Sequence, residues 1–184
     1  MAENIDRLEL LQSEVRLELF NRLCDKAKQY WLNCLYSLIS ERGAEQALHF
    51  IWKTEDFFSD KLSPIEQIFS VTFLYLLHNN YVDEKIKCFS QYKVDIGKKH
   101  YFLDFYIEAP IRYGKLKYAV ELDGYEFHSS KNQVNHDYAR EQDLNELGYK
   151  IIRFTGSQIY NSPFESAMKT LKIILKNSRG DKNA

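Results

Sequence analysis

Three strand-like segments follow one another in the middle of the chain, and their succession constrains the fold more than any other sequence feature. They cover residues 85–94, 100–109 and 116–123, and each is rich in aromatic or β-branched residues. Short turn-like stretches, one of which contains Gly97, separate the segments. Strands joined by such short connections are expected to pair as an antiparallel meander.

Helical patterns lie on both sides of this meander. Before it, Ser63 is suited to cap a helix that has Pro64 in its first turn and ends near Asn79. The elements expected after it are a helix over 133–147, a strand over 150–155 and a helix over 163–177. A meander followed by a crossover helix predicts an α/β fold, in which helices pack on a mixed sheet.

The first 60 residues have a different character. Residues 4–41 contain no Gly or Pro, and their apolar residues recur at spacings of three and four, which predicts a long amphipathic helix broken once; a further helix is expected over 44–58. This part holds 7 Lys and Arg against 11 Asp and Glu, whereas the remainder holds 18 against 15. We predict a helical N-terminal extension over 1–60, a main domain over 61–178 and a flexible tail over 179–184. The extension could pack on the main domain as a cap, or bind a protein partner or a second copy of the chain.

The sequence contains no pattern typical of export or of a membrane span. Its first ten residues carry charges throughout and include no apolar stretch. The longest apolar-rich run, over 68–77, has ten residues, about half of what a helix needs to cross a bilayer. We therefore expect a cytoplasmic protein without a membrane partner.

Asp104 is an unusual residue for the second strand, because it lies among large apolar side chains. An isolated buried carboxylate costs several kcal/mol unless it is paired or bound to a metal. The alternation of side chains along a strand divides this segment into two faces, formed by Phe102, Asp104 and Tyr106 and by Leu103, Phe105 and Ile107.

The third strand ends in two acids, Glu121 and Asp123, which share a face. If the two strands are neighbours, Asp104 can lie opposite Glu121, and two such carboxylates repel each other unless a cation holds them together. Mg²⁺ suits them because it prefers oxygen ligands, and the backbone carbonyl of Leu122 could supply another oxygen. Alternatively, Asp104 could pair with a Lys or Arg, and the acids of the third strand could lead into an Asp-Gly turn.

Four motifs together are more specific than the acids alone. In order they are SPIEQIF, FLDFYI, YAVELDGYEFH and DYAREQDLNELGYKIIRFT, and they span residues 63–155, about half of the chain. This pattern resembles the PD-(D/E)XK nuclease superfamily, in particular its DUF559 and very-short-patch-repair-like branch. The resemblance implies a restriction-endonuclease-like core of helix, three-strand meander, helix, strand and helix. It also implies hydrolysis of DNA, with RNA not excluded, by an endonuclease that uses Mg²⁺ or Mn²⁺.

The resemblance assigns roles to the acids. Asp104 corresponds to the metal-binding aspartate of the second core strand, and Glu121 to the acid of the (D/E)XK element. Asp123 stands where a lysine is usual, which leaves open which group orients or deprotonates the attacking water. His128 is one candidate, because a neutral imidazole can act as a base near pH 7. It could equally be a strand-end histidine that bonds to the backbone.

Glu66 and two arginines complete the expected site. Glu66 matches an acid of the first core helix that can join the metal site, yet with Ser63 it also forms the pattern of a capping box. Arg140 suits a phosphate group through its planar guanidinium, although it could instead pair with an acid on its own helix. Arg153 could anchor a carboxylate of the site or contact DNA. The alternative function is a non-catalytic module that binds nucleic acid or protein on a degenerate nuclease fold.

Overall fold

The structure is a computed structural model that describes residues 17–58, 62–80, 85–123 and 131–180. These residues form seven helices and four strands. In chain order they are α1 (Leu17–Arg22), α2 (Asp25–Arg42), α3 (Ala44–Phe57), α4 (Pro64–Asn79), β1 (Lys87–Ile96), β2 (Lys99–Ile111), β3 (Gly114–Asp123), α5 (Lys131–Glu146), β4 (Tyr149–Thr155), α6 (Gly156–Asn161) and α7 (Pro163–Gly180).

The four strands form one mixed sheet in the order β1-β2-β3-β4. β1 pairs with β2 and β2 with β3 in antiparallel fashion, whereas β3 and β4 are parallel because the connection through α5 is a crossover. Only Gly97 and Lys98 separate β1 from β2, and Gly97 has the left-handed φ of 60° that a tight hairpin turn favours. The predicted mixed sheet with flanking helices is confirmed, and it agrees with a restriction-endonuclease-like fold.

Helices cover both faces of the sheet. On one face α4 and α7 enclose the larger core, in which Phe69 of α4 lies against Phe105 of β2 with ring centroids 5.1 Å apart. On the other face α5 contributes Leu144 to a smaller cluster around Leu103 and Ala119. None of the helices in the described ranges is both long enough and apolar enough to cross a membrane.

The helices that precede α4 pack on the larger core. α1 and α2 are separated at Leu23 and Cys24, in agreement with the predicted break. At this break the backbone N–H of Cys24 donates to Oε1 of Gln67 in α4, at 2.7 Å. Trp31 of α2 and Phe50 of α3 are buried in the same core as α4. The division of the chain near residue 60 stays a prediction.

The sequence interpretation missed α6. This helix begins with a capping box in which Thr155 Oγ1 accepts from the Gln158 amide, and Gln158 Oε1 accepts from the Thr155 amide. The T-x-x-Q spacing that produces the box is a local signal for a helix start, so α6 could have been found from the sequence.

The predicted division of β2 into two faces is wrong around Asp104. Leu103 packs with Tyr106 in the smaller cluster, whereas Phe105 and Ile107 belong to the larger core on the other face. In a regular strand Leu103 and Phe105 would share a face. The alternation therefore shifts by one residue between Leu103 and Phe105, at the position of Asp104.

A left-handed residue in β1 accompanies this shift. Gln91 has a φ of 49° and lies opposite Asp104 in the register of β1 and β2. The residues on both sides of each are paired across the two strands, but Gln91 and Asp104 do not form such a pair. A left-handed residue does not continue the pleat, so the side chains beyond it leave on the faces opposite to those of a regular strand. Glutamine carries no sequence signal for this conformation.

Candidate active site

Asp104 lies where β2 and β3 stop pairing. The last pair on this side is Phe105 with Val120, and Oδ2 of Asp104 then accepts a hydrogen bond from the backbone N–H of Leu122, at 2.7 Å. The carboxylate thus serves as the acceptor for a backbone group beyond the end of the ladder. Continuation of the register places Asp104 opposite Glu121.

The electrostatic surroundings of Asp104 are predominantly unfavourable for its negative charge. Partial burial raises its pKa to about 6, and the charges of Glu66 and Asp123 act in the same direction. The hydrogen bond from Leu122 and the charge of Arg140 oppose this rise. A carboxyl group with a raised pKa gains from a nearby cation, because the cation favours its ionised form.

Glu121 is buried, with 5% of its surface exposed, near the end of β3. Nη2 of Arg140 lies 2.9 Å from each of its two carboxylate oxygens. Burial raises the pKa of Glu121 to about 7, and the charge of Asp104 adds to the rise, while Arg140 and Arg153 oppose it. Asp104 and Glu121 are therefore close enough for the ionisation of one to disfavour that of the other.

Arg140 connects α5 to the two strands that carry these acids. The same Nη2 also donates to the backbone carbonyl of Phe102 in β2, at 2.8 Å. Asp143, an acid of the same helix that the sequence offers as a partner, instead accepts from Lys99 at 2.8 Å. Arg140 thus lies beside Glu121 and the strand that carries Asp104.

Glu66 caps its own helix and also lies near Asp104. Its Oε2 accepts from the backbone N–H of Ser63 at 2.6 Å, and Ser63 Oγ accepts from the Glu66 amide at 3.4 Å, which confirms the capping box. Its Oε1 accepts from Nε2 of Gln91. Glu66 is only 5% exposed, and its charge contributes to the raised pKa of Asp104. The cap and the proximity to the site therefore coexist.

The other residues predicted for the site lie at different distances from Asp104 and Glu121. Asp123 is partly buried at the end of β3, and its charge acts on Asp104. Arg153 lies beside Glu121 in the register of β3 and β4, but its ion pair, at 3.3 Å, is with Glu141. His128 lies outside the described residues.

The donors fit a hard divalent cation. Within the described ranges, no three Asp, Glu, His or Cys side chains form a group that could hold a metal ion. Mg²⁺ commonly takes one or two carboxylates together with water and substrate oxygens, so Asp104 and Glu121 match its usual demands. Glu121 would have to exchange at least one of its contacts with Arg140 for such an ion. The backbone carbonyl of Leu122 stays a predicted ligand.

Sequence reasoning missed two contributors to this geometry. One is Gln91, which bonds Glu66, and the other is the carbonyl of Phe102, which bonds Arg140. A backbone carbonyl leaves no mark in a sequence, and a glutamine within a strand is usually a solvent-facing residue. Neither could have been identified without the fold.

A family model named REase_MTES_1575 matches residues 82–174, half of the 184-residue chain. The match includes all four strands and α5, and with them Asp104, Glu121 and Arg140, whereas Glu66 precedes it. Neither a curated protein nor a solved structure matches the chain. The chain thus belongs to REase_MTES_1575, a restriction-endonuclease-like family, and this membership indicates a nuclease.

Proposed function

We propose that the protein is a Mg²⁺-dependent endonuclease that hydrolyses DNA phosphodiester bonds. The observation that carries this proposal is the convergence of two partly desolvated acids, Asp104 and Glu121, where β2 and β3 stop pairing. The narrower assignment to the DUF559 and very-short-patch-repair-like branch belongs to the same proposal. So does DNA as the substrate, with RNA as the competing possibility.

The acids of the site would together hold the metal ion in the proposed reaction. Asp104 and Glu121, with the carbonyl of Leu122, would hold Mg²⁺, and Glu66 would assist directly or through water. The bound ion would activate the attacking water and neutralise charge on the phosphodiester. The hydrogen bond from the Leu122 amide orients the Asp104 carboxylate toward the end of β3.

Hydrolysis of the phosphodiester requires the attacking water to lose a proton while one P–O bond breaks. Asp123 or His128 would position or deprotonate this water, since the usual lysine is replaced by Asp123. Arg140 would steady a phosphate oxygen once Glu121 has released part of its guanidinium. Arg153, on the neighbouring strand, would contact the nucleic acid or support Glu121.

The second candidate function is non-catalytic binding of nucleic acid or protein on a nuclease fold. The contact of Arg140 Nη2 with both carboxylate oxygens of Glu121 favours it, because this contact satisfies the buried carboxylate without a metal ion. The replacement of lysine by Asp123 also favours it. A cleavage assay separates the two candidates.

The assay would offer linear, circular, mismatched and single-stranded DNA, and RNA of the same sequence, with Mg²⁺, Mn²⁺ or a chelator. We expect cleavage with either ion, and its loss with the chelator and in Glu121→Ala. Glu108→Ala is the matched control, because Glu108 is an acid of the same sheet whose ion pair with Lys115 lies outside the site. Cleavage by Glu121→Ala at the wild-type rate would overturn the proposal, and binding without cleavage would favour the second candidate.

A further inference from the structure

Gln91 has a backbone conformation that is costly for its residue type. Its φ of 49° makes it the one non-glycine residue with a positive φ in the described part of the chain. Such a conformation persists only when the surrounding structure enforces it, and it often coincides with functional sites. Gln91 also lies opposite Asp104, one of the two acids of the candidate site.

The left-handed residue interrupts the alternation of side chains along β1 at Gln91 and Tyr92. Phe89 and Tyr92 both lie against the ring of Tyr106, with centroids 5.8 Å and 4.5 Å away. Between them, Ser90 and Gln91 both turn to the opposite side of the sheet, where α3 and α4 lie. In a regular strand two consecutive side chains would leave on opposite faces. The conformation of Gln91 is therefore what directs its amide to α4.

The acceptor of this amide is Glu66, the acid at the start of α4. Nε2 of Gln91 donates to Oε1 of Glu66, and the backbone N–H of Ser63 donates to Oε2. Both oxygens of a nearly buried carboxylate are thereby held by donors from two different elements. Without Gln91, Oε1 would lack this donor in a largely dry environment, which is unfavourable for a charged group.

We propose that Gln91 is a positioning residue, which holds the Glu66 carboxylate beside Asp104 and thereby strengthens the binding of a divalent cation at the site. This inference rests on the proposed nuclease function. The amide is suited to the task because it donates to Glu66 without neutralising its charge, whereas a carboxylate there would repel it and an apolar side chain would not bond it. Hydrogen-bond partners of metal ligands typically act on metal affinity in this way.

Binding of Mn²⁺ to the full chain without DNA, measured by calorimetry, tests the proposal independently of cleavage. Gln91→Gly keeps the left-handed backbone, which glycine adopts readily, and removes the amide. We expect its Kd for Mn²⁺ to rise about tenfold, the lower end of the range for such partners. Ser90→Ala is the matched control, because Ser90 points to the same face but bonds the carbonyl of Phe57. It should keep the wild-type Kd.

The same Gln91 substitution, made in a protein that already carries Glu66→Gln, shows whether Gln91 acts through Glu66. In Glu66→Gln the carboxylate is gone, so the further change Gln91→Gly should leave the Kd unchanged. A purely structural role would weaken binding by the same factor in both backgrounds, and this result would overturn the proposal. If Gln91→Gly does not fold, as judged by its thermal unfolding, Gln91→Asn provides the same comparison, since Asn also tolerates φ > 0 and its shorter amide ends farther from Glu66.

The outcomes distinguish this proposal from the one on which it rests. Equal Kd values for the wild-type protein and Gln91→Gly would overturn the role of Gln91 and leave the nuclease function intact. A folded wild-type protein that binds no Mn²⁺ would overturn both. A rise in Kd confined to the background that retains Glu66 would support both.

Discussion

Residues Tyr118–Val120 and Glu121–Asp123 are neighbours in β3, yet they are stabilised in different ways. The first three are fully buried and bonded to β2 on one side and β4 on the other. The last three keep β4, but their pairing with β2 has ended, and the carboxylate of Asp104 replaces the missing backbone acceptor. Buried acids are thus placed where the sheet loses a partner strand and side chains must complete its hydrogen bonds.

Phe105 pairs with Val120 at the end of the β2–β3 ladder, and its substitution tests the stability of the apolar part of the sheet. We expect this substitution to have the largest effect on the free energy of unfolding. It is fully buried, with its ring 5.9 Å from that of Phe57 and 5.1 Å from that of Phe69. We expect Phe105→Ala to lower the free energy of unfolding by about 4 kcal/mol, measured by urea denaturation. The rate of cleavage per folded molecule should change little.

Phe102 in the same strand is the control for this loss, because its side chain is 55% exposed. Phe102→Ala should cost about 0.5 kcal/mol or less. Similar losses in the two variants would show that the burial pattern of β2 is not as described.

Substitution of Arg140 tests how the buried carboxylate of Glu121 is stabilised without a metal ion. Arg140→Met leaves the buried Glu121 without its arginine partner, so we expect the free energy of unfolding to fall by about 3 kcal/mol near pH 8. The loss should shrink below pH 6, where Glu121 takes up a proton. Arg153→Met, which removes a solvent-exposed ion pair with Glu141, should cost less than about 1 kcal/mol. Equal losses in the two variants would contradict the arrangement.

Substitution of Asp104 should lower the rate of cleavage without lowering the free energy of unfolding. Asp104→Asn keeps an acceptor for the Leu122 amide but removes the charge that burial disfavours. We expect cleavage to fall about a hundredfold, as for a lost metal ligand or its close support. The free energy of unfolding at pH 8 should stay the same or rise. A parallel fall in both quantities would mean that Asp104 is a structural residue.

The pH dependence of the free energy of unfolding tests Asp104 and Glu121 together. The folded-state pKa values of Asp104 and Glu121 rise from ordinary values of 3.8 and 4.5 to about 6 and about 7. The folded protein therefore binds more protons than the unfolded chain between about pH 4 and pH 7, so its free energy of unfolding falls as pH rises through this window. Urea denaturation of the metal-free protein at pH 4, 5.5 and 8 measures the fall. Asp104→Asn should show a smaller one, and an equal fall would contradict the assignment.

The sequence was sufficient for the order of the elements apart from α6, and for the position of the acids at the end of β3. Each of these depends on local patterns, such as the Ser63 cap and the acids after Val120. The shift of alternation at Asp104 was not predictable, because it occurs opposite Gln91, which is distant along the chain and has no preference for a left-handed backbone. The partner of Arg140 was also hidden, since several acids lay within reach on its own helix and only the packing of α5 on the sheet selects Glu121.

The hydrogen bond from Cys24 to Gln67 connects the N-terminal helices to the helical turn that carries Glu66. Gln67 also donates to the carbonyl of Leu62, at 3.1 Å, so one side chain joins the break between α1 and α2 to the start of α4. The N-terminal helices are therefore joined to the residue next to Glu66 by a hydrogen bond as well as by apolar packing.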